Sequence, residues 1–458
     1  MSAAGRTVSR APAAVPSVAL AALVLVGTAA AQDPAPAPSP FLSVDAFGSV
    51  DAEIDAFLAE RGWQRGECAC NPAGGVLVVA EADVAVPADR IGFSEARLLA
   101  TEEAYLKAIG AFARQDAVEI VKDSTREFMK DDLPRELGRE SDLGALVEAV
   151  SARLATASVA QLDRLVESVG GDASDLPRLD LAERRVRLRD ELTVHSLSRA
   201  AARMAGVGIF GVIESAGGGE TLSNGSVGVV VVRAPGFEDL GRQLRRGESD
   251  PSLGMPVEAA RRTIADSLAG RVPMLGHFGV QPVRDAEGRY GLLSFGVAAP
   301  QLTASIGRDL ASAELEAART GADLAAEGWL AQFATLAVEA DREEFRRKLK
   351  ERVEVAEGDG FLRGEGGTDV GRMLSDVTRS VSRARLRGVQ TLGRWSADDP
   401  LTGHPYVGVV KYWSPATAAG AERLSEAYRE GVRPARPAAA RPAPRERTVR
   451  STGTFGQW

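Results

Sequence analysis

Apolar residues recur at every third or fourth position along most of the chain, and these stretches are interrupted by short runs rich in valine, leucine and glycine. That mixture predicts helices separated by strands. Val50 to Glu60 sets Ile54, Phe57 and Leu58 on one face, and Pro256 to Ala269 has the same character, so each range predicts an opening helix. Gly75-Val76-Leu77-Val78-Val79 predicts a strand before a long alanine-rich helix. In that helix Ser94 is the expected N-cap, and Ala96, Ala100, Ala104, Ala108 and Ala111 form a smooth stripe that another element can approach closely. Gly291-Leu292-Leu293-Ser294-Phe295 stands before a second such helix, where Ala311, Leu315, Ala318, Ala322, Ala325 and Trp329 take the equivalent part. Val280-Gln281-Pro282-Val283 and Tyr290 to Val297 flank Asp285-Ala286-Glu287-Gly288, whose turn chemistry predicts a hairpin. Pro282 cannot donate to a ladder, so its strand should lie at a sheet edge or be short.

The same order of elements occurs twice. Ser196-Leu197-Ser198-Arg199-Ala200, then Gly206-Val207, then Val227-Gly228-Val229-Val230 is repeated as Ser380-Val381-Ser382-Arg383-Ala384, Gly388-Val389 and Val407-Gly408-Val409-Val410. The ends of the two long helices also agree, with Asp123-Ser124-Thr125-Arg126-Glu127-Phe128 against Asp341-Arg342-Glu343-Glu344-Phe345. Several collinear matches imply a duplication, with copies at 50–247 and 256–430. Each copy closes with a helix, a strand from Gly206 or Gly388, a turn, a strand centred on Val229 or Val409, and a last helix with Pro235 or Pro415 at its first turn. Hairpins together with helix-separated strands predict an α+β fold, two tandem diverged copies of a small sheet with helices packed on one face. Copy one carries an insertion at about 133–179. Leu143, Leu146, Val147, Val150 and Leu154, then Val159, Leu162, Leu165, Val166 and Val169, fall at helical spacing and predict a helical hairpin whose apolar stripes face the core, with partner binding as the competing role.

The ends read differently. Arg6 and Arg10 precede the apolar run Val18 to Val26 and the small-residue tract Gly27 to Ala31, the pattern of a secretory signal peptide over residues 1–31. An uncleaved anchor is the competing reading, but the run is short for a bilayer and no later stretch nears about 20 uninterrupted apolar residues. The expectation is therefore a periplasmic or secreted chain without a transmembrane segment after cleavage. Residues 32–49 read as a Pro-rich linker and 431–458 as a disordered basic tail holding arginines from Arg433 to Arg450.

Composition and charge narrow the classes further. Of 458 residues 45% are hydrophobic and 26% charged, which is globular and suggests two to three domains. Two cysteines cannot staple a chain of this length, so a disulfide scaffold is excluded. With 55 basic and 63 acidic residues the net charge is −8, and without the leader and the tail the body is more acidic still. An acidic body argues against nucleic acid as a partner. The tail reads as a solvated spacer or as a basic arm touching an anionic envelope polymer or lipid.

Gly276-His277-Phe278-Gly279-Val280 before the hairpin, Gly206-Val207 before a strand, and Val407-Gly408-Val409-Val410-Lys411-Tyr412-Trp413-Ser414 resemble an uncharacterised family of secreted bacterial proteins. The likeness extends over most of the chain between the linkers. It implies an envelope or secreted protein and no catalytic residue.

Chemistry-bearing motifs are sparse. The three histidines, His195, His277 and His404, lie far apart without metal-ligand spacing, so neither a metal nor any other cofactor is expected. Glu191 and His195 are one helical turn apart and read as a solvated pair. Gly206-Val207-Gly208-Ile209-Phe210-Gly211 matches a dinucleotide fingerprint literally, yet a helix precedes it and a strand follows, the reverse of the required setting. Asn224-Gly225-Ser226-Val227-Gly228 lacks the first glycine of a serine-hydrolase elbow and reads as a hairpin turn. Glu357 to Asp369 lacks calcium-loop spacing and reads as a mobile connection. Cys68-Ala69-Cys70 is the one pair with redox potential: a bond there closes almost no loop, and the competing readings are a structural disulfide and a redox pair. Trp63, Trp395 and Trp413 read as core residues, with a ligand groove as the alternative.

Two functional expectations follow. The first is a non-catalytic binding or scaffold protein of the bacterial cell envelope, its partner an envelope protein or polymer. The second is an extracytoplasmic enzyme, thiol-disulfide through Cys68 and Cys70 or hydrolytic. Repetition, few histidines and no intact motif favour the first.

Overall fold

The computed structural model describes residues 41–44, 50–87, 90, 92–129, 135–154, 159–169, 171, 174, 178–215, 225–246, 250–270, 272–302, 307–335, 343–356, 367–381, 386–399 and 403–429. The expected leader, residues 32–40 and 45–49 of the expected linker, the basic tail, and most of the Glu357–Asp369 stretch lie outside those residues. The first copy runs β1 (Phe41–Val44), α1 (Val50–Arg61), β2 (Gly66–Glu67), β3 (Val76–Asp83), α2 (Phe93–Met129), α3 (Arg135–Arg139), α4 (Leu143–Leu154), α5 (Val159–Ser168), α6 (Leu181–Ala202), β4 (Val207–Ser215), β5 (Ser226–Arg233) and α7 (Pro235–Arg246). The second runs α8 (Val257–Gly270), β6 (Gly279–Arg284), β7 (Tyr290–Ala298), α9 (Arg308–Thr335), α10 (Glu343–Ala356), α11 (Gly367–Val381), β8 (Gln390–Asp398), β9 (Pro405–Trp413) and α12 (Pro415–Arg429).

The fold is α+β with two tandem sheets. One sheet has the order β1-β4-β5-β3-β2 and the other β6-β7-β9-β8. Setting β1 aside, β2-β3-β5-β4 and β6-β7-β9-β8 are the same arrangement, antiparallel at every step. Pro282 sits on β6, an edge strand, where its missing N–H costs nothing. The correspondence reaches the irregularities: β4 shifts register between Ile209 and Gly211, and β8 between Thr391 and Gly393. Each bulge follows, at the same interval, a glycine in the left-handed region, Gly206 at φ 73° and Gly388 at φ 79°.

Those two glycines have a packing reason. A Cβ on Gly206 would stand 2.1 Å from the carbonyl carbon of Phe237, and one on Gly388 would stand 2.6 Å from the Cα of Ala418. Both strands thus begin pressed against the first turns of α7 or α12. This accounts for the literal dinucleotide fingerprint at Gly206: Gly206 lets the strand pass α7, Gly208 leaves room for Pro282 of β6 and Gly211 for Phe57 of α1, and no helix opens after them.

The long helices pack on one face of each sheet. Arg233 on β5 pairs with Asp116 on α2, and Lys411 on β9 pairs with Asp323 (3.2 Å) and Glu327 (2.5 Å) on α9. The opening helices add cover on the opposite face, where Ile54 of α1 would meet a Cβ on Gly228 at 2.5 Å. With both faces covered, β5 reads as a continuous apolar run, and Val227 and Val229 to Val232 are all fully buried. The insertion is helical, with α3, α4 and α5, and α4 packs on α6 and α2. Leu146, Val147, Val150, Leu162 and Val166 are fully buried; each such side chain stabilises by about 1.5–3 kcal/mol relative to exposure.

The copies share most of one core, beside which Ile264, Phe295, Tyr406 and Val410 form a smaller cluster within copy two. One cluster joins Leu197 and Val229 of the first copy to Leu330, Leu374 and Trp413 of the second. α11 lies across α2 so closely that a Cβ on Gly371 would come 1.8 Å from the carbonyl oxygen of Leu106.

Several local expectations differ from what is observed. Ser94 is not an N-cap; α2 already begins at Phe93, because Gly92 at φ 93° turns the chain into the helix and Ala96 N–H donates to its carbonyl. Along α9 burial is deepest at Ala322, Ala326, Leu330 and Phe333, while Ala311, Leu315 and Ala318 are only half-buried, so the apolar face drifts from the stripe as read. Glu343, Glu344 and Phe345 open α10, whereas their counterparts in copy one lie inside α2. Gly367 to Asp369 are helical, in α11. Within the expected linker, Phe41 to Val44 pair in parallel with Val212 to Ser215 of β4, since this apolar segment just past Pro40 supplies β-forming side chains to an open edge.

Candidate functional site

Between the last turns of α2, the end of α5 and the second half of α6 lies an open cleft of about 400 Å³. α2 contributes Ile120, Asp123, Ser124, Glu127 and Phe128, and α6 contributes His195 and Arg199 with Arg203 as its C-cap, Ser168 of α5 standing at one end. Periodicity explains both walls. Residues 195, 199 and 203 stand one turn apart on a single line of α6, as do 120, 123–124 and 127–128 on α2. The walls come from the two segments that recur in the chain, Asp123 to Phe128 and Ser196 to Ala200, which the fold brings together from some seventy residues apart.

The walls carry opposite charge. Asp123 accepts from Arg126 at 3.0 Å on its own helix. Glu127, Arg199 and Arg203 enter no ion pair among the described residues, and Arg199 and Arg203 are exposed. His195 donates through Nδ1 to the Val169 carbonyl at 3.2 Å, which holds its ring at the cleft. The C-terminal ends of α2 and α5 also approach here, and the negative end of a helix dipole favours cations.

Glu191 and His195 are not the solvated pair that their spacing suggests. Glu191 is 3% exposed and accepts from Lys350 of α10 at 2.7 Å, with Arg187 at 3.3 Å. A helix distant in sequence supplies the partner, so the pairing has no local signature.

A second polar cluster lies inside the junction of the copies. Arg97 on α2 is 2% exposed; its Nε donates to Glu214 on β4, and its Nη2 donates to the Leu275 carbonyl at 3.1 Å. Its guanidinium carbon sits 5.5 Å from the ring of Tyr406 on β9. Burial pulls the Arg97 pKa down, but the charge of Glu214, the Tyr406 hydroxyl and the hydrogen bond to Glu214 together outweigh it and the net shift is upward. Both charges are sealed from solvent; the pair lies within copy one, and Arg97 ties it to copy two through the Leu275 carbonyl and the Tyr406 ring. Position 97 carried a signal, since it falls with Phe93, Ala100 and Ala104 on the apolar face of α2; only its partner was hidden.

Cys68 and Cys70 are bonded to each other in the turn between β2 and β3. Asn71 organises that turn, accepting from the Gln64 N–H at 2.9 Å and donating to the Gly66 and Gly75 carbonyls at 2.9 and 3.0 Å. Neither cysteine lines the cleft. The remaining histidines are separate from it: His277 stacks on Phe295 at 4.5 Å, and burial lowers its pKa to about 4; His404 lies 6.4 Å from Phe93. Trp395 and Trp413 are buried, and Trp63 is held edge-on between Phe57 and Phe210. Among the described residues no helix is long and apolar enough to cross a membrane.

Comparisons with known proteins reach one wall of the cleft and assign it no role. A comparison with curated proteins finds no match. A solved structure, a hypothetical protein from Francisella tularensis, is 14% identical, covers 80% of this chain and 89% of its own, and superposes with a TM-score of 0.45. Residues 147–246, which include the basic wall of the cleft, match the model of a family described as Domain of unknown function (DUF6844).

Proposed function

We propose that the protein is a non-catalytic binding protein of the bacterial cell envelope, exported by its amino-terminal leader, and that the cleft between α2 and α6 is where it engages its partner. The observation that carries this reading is the cleft itself: unpaired charges of both signs line it, contributed by both recurring segments. The deeply buried charges elsewhere hold the fold together, Arg97 with Glu214 and Arg233 with Asp116. The buried Trp395 and Trp413 support the same reading, because they fill core and do not line a groove.

The test is a photo-crosslinking side chain placed at Ser124 in cells, followed by fractionation. A defined adduct in the envelope fraction is expected; cytoplasmic retention of the chain, or no adduct above that of a crosslinker placed on the far side of α9, refutes the reading. A thiol-disulfide role is the second reading, favoured by the bonded Cys68 and Cys70 on an exposed turn. Thiol titration of protein purified under graded glutathione decides it, and sulfurs that stay bonded or stay free at every poise remove it.

A further inference from the structure

We propose that the α2–α6 cleft takes a small zwitterion, a short peptide with a free amino end and a free carboxylate end; this rests on the binding reading and names its ligand class. Two walls of opposite sign face one cavity, and their free charges do not pair with each other. Arg199 and Arg203 suit a carboxylate, since a guanidinium presents a planar fork of donors that matches two oxygens. Glu127 and Asp123 suit an ammonium, and the nearby C-terminal ends of α2 and α5 add to that preference. Ser124 and Ser168 offer hydroxyls to peptide groups, while Phe128 gives an apolar contact for a small side chain. A volume of about 400 Å³ is that of a small-molecule site and is too small to enclose a folded domain. A purely anionic ligand would meet the carboxylates of α2, and a purely cationic one the arginines of α6, so each pays a repulsion that the zwitterion avoids.

Isothermal titration of the full chain with alanyl-alanine tests this, with N-acetyl-alanyl-alanine, alanyl-alanine amide and acetate as probes of each end. Saturable binding of alanyl-alanine is expected, with at least a tenfold loss when either end is blocked. Arg199→Gln should abolish the penalty of amidation and Glu127→Gln the penalty of acetylation, and both side chains are exposed enough that the fold should survive. Equal binding of the blocked peptides, unchanged binding by both variants, or no saturable binding overturns the proposal. So does a coupling between Arg199→Gln and Glu127→Gln in the stability of the ligand-free protein, which would make the walls a structural pair. If alanyl-alanine fails while crosslinking at Ser124 still captures an envelope component, the ligand class is wrong and the binding reading stands.

Discussion

Removing the Glu214 carboxylate should separate the two copies energetically. Arg97 and Glu214 are 2% exposed each, so Glu214→Ala leaves a guanidinium sealed in the interior with the Leu275 carbonyl and the Tyr406 ring face. Breaking a buried pair from one side costs about 3–5 kcal/mol, because the surviving charge keeps its desolvation penalty without its partner. Taking about 2.1 cal/mol/K per residue over about 300 cooperative residues, each kcal/mol moves the melting temperature by about 1.6 °C, so the expected fall is about 5–8 °C. Arg97 bridges α2 of one copy to the turn at Leu275 and to β9 of the other. Unfolding of the variant should therefore be broader than that of the parent. The complementary variant, Arg97→Met with Glu214→Leu, removes both charges and should lie within about 2 kcal/mol of the parent. Urea melts of the parent, Arg97→Met, Glu214→Leu and the double variant measure the coupling. A Glu214→Ala loss below about 1 kcal/mol, or a double variant whose loss equals the sum of the singles, would refute the reasoning.

Gly206→Ala and Gly388→Ala should each destabilise by more than about 2 kcal/mol, since both combine a left-handed φ with a Cβ placed into the backbone of α7 or α12; equal tolerance of alanine at both sites in denaturant melts would contradict the shared geometry. Gly371→Ala should push α11 off α2, where the added methyl meets the Leu106 carbonyl, and should raise amide exchange in both helices. His277 has a folded pKa of about 4, below its value in the unfolded chain, so its contribution is complete above about pH 6.5 and is lost as pH falls toward 4. Stability measured across that window should drop for the parent by about 3 kcal/mol more than for His277→Phe, and parallel pH profiles would dismiss the burial as cause.

Much of the architecture was legible before any coordinates because it is periodic or local. The 3.6-residue spacing marked α1, α8 and the helices of the insertion, Pro282 marked an edge strand, and two sets of collinear segments marked the duplication, down to strands that share one order. Even the misleading fingerprint at Gly206 was legible through its context, a helix before and a strand after. What the chain order does not encode is which elements of one copy press on the other. Gly371 against Leu106, Lys350 beside Glu191, and Arg97 bridging to Leu275 are contacts across long separations in sequence, made when helices from both copies close over one core. The cleft divides in the same way. Asp123 to Phe128 and the Ser-x-Ser-Arg-Ala segment stood out as repeated strings, but a string has no opposite wall. Only the packing of α6 beside α2 sets Arg199 and Glu127 around one cleft, because side chains at helical spacing acquire a common face, and a neighbour, when two helices pack.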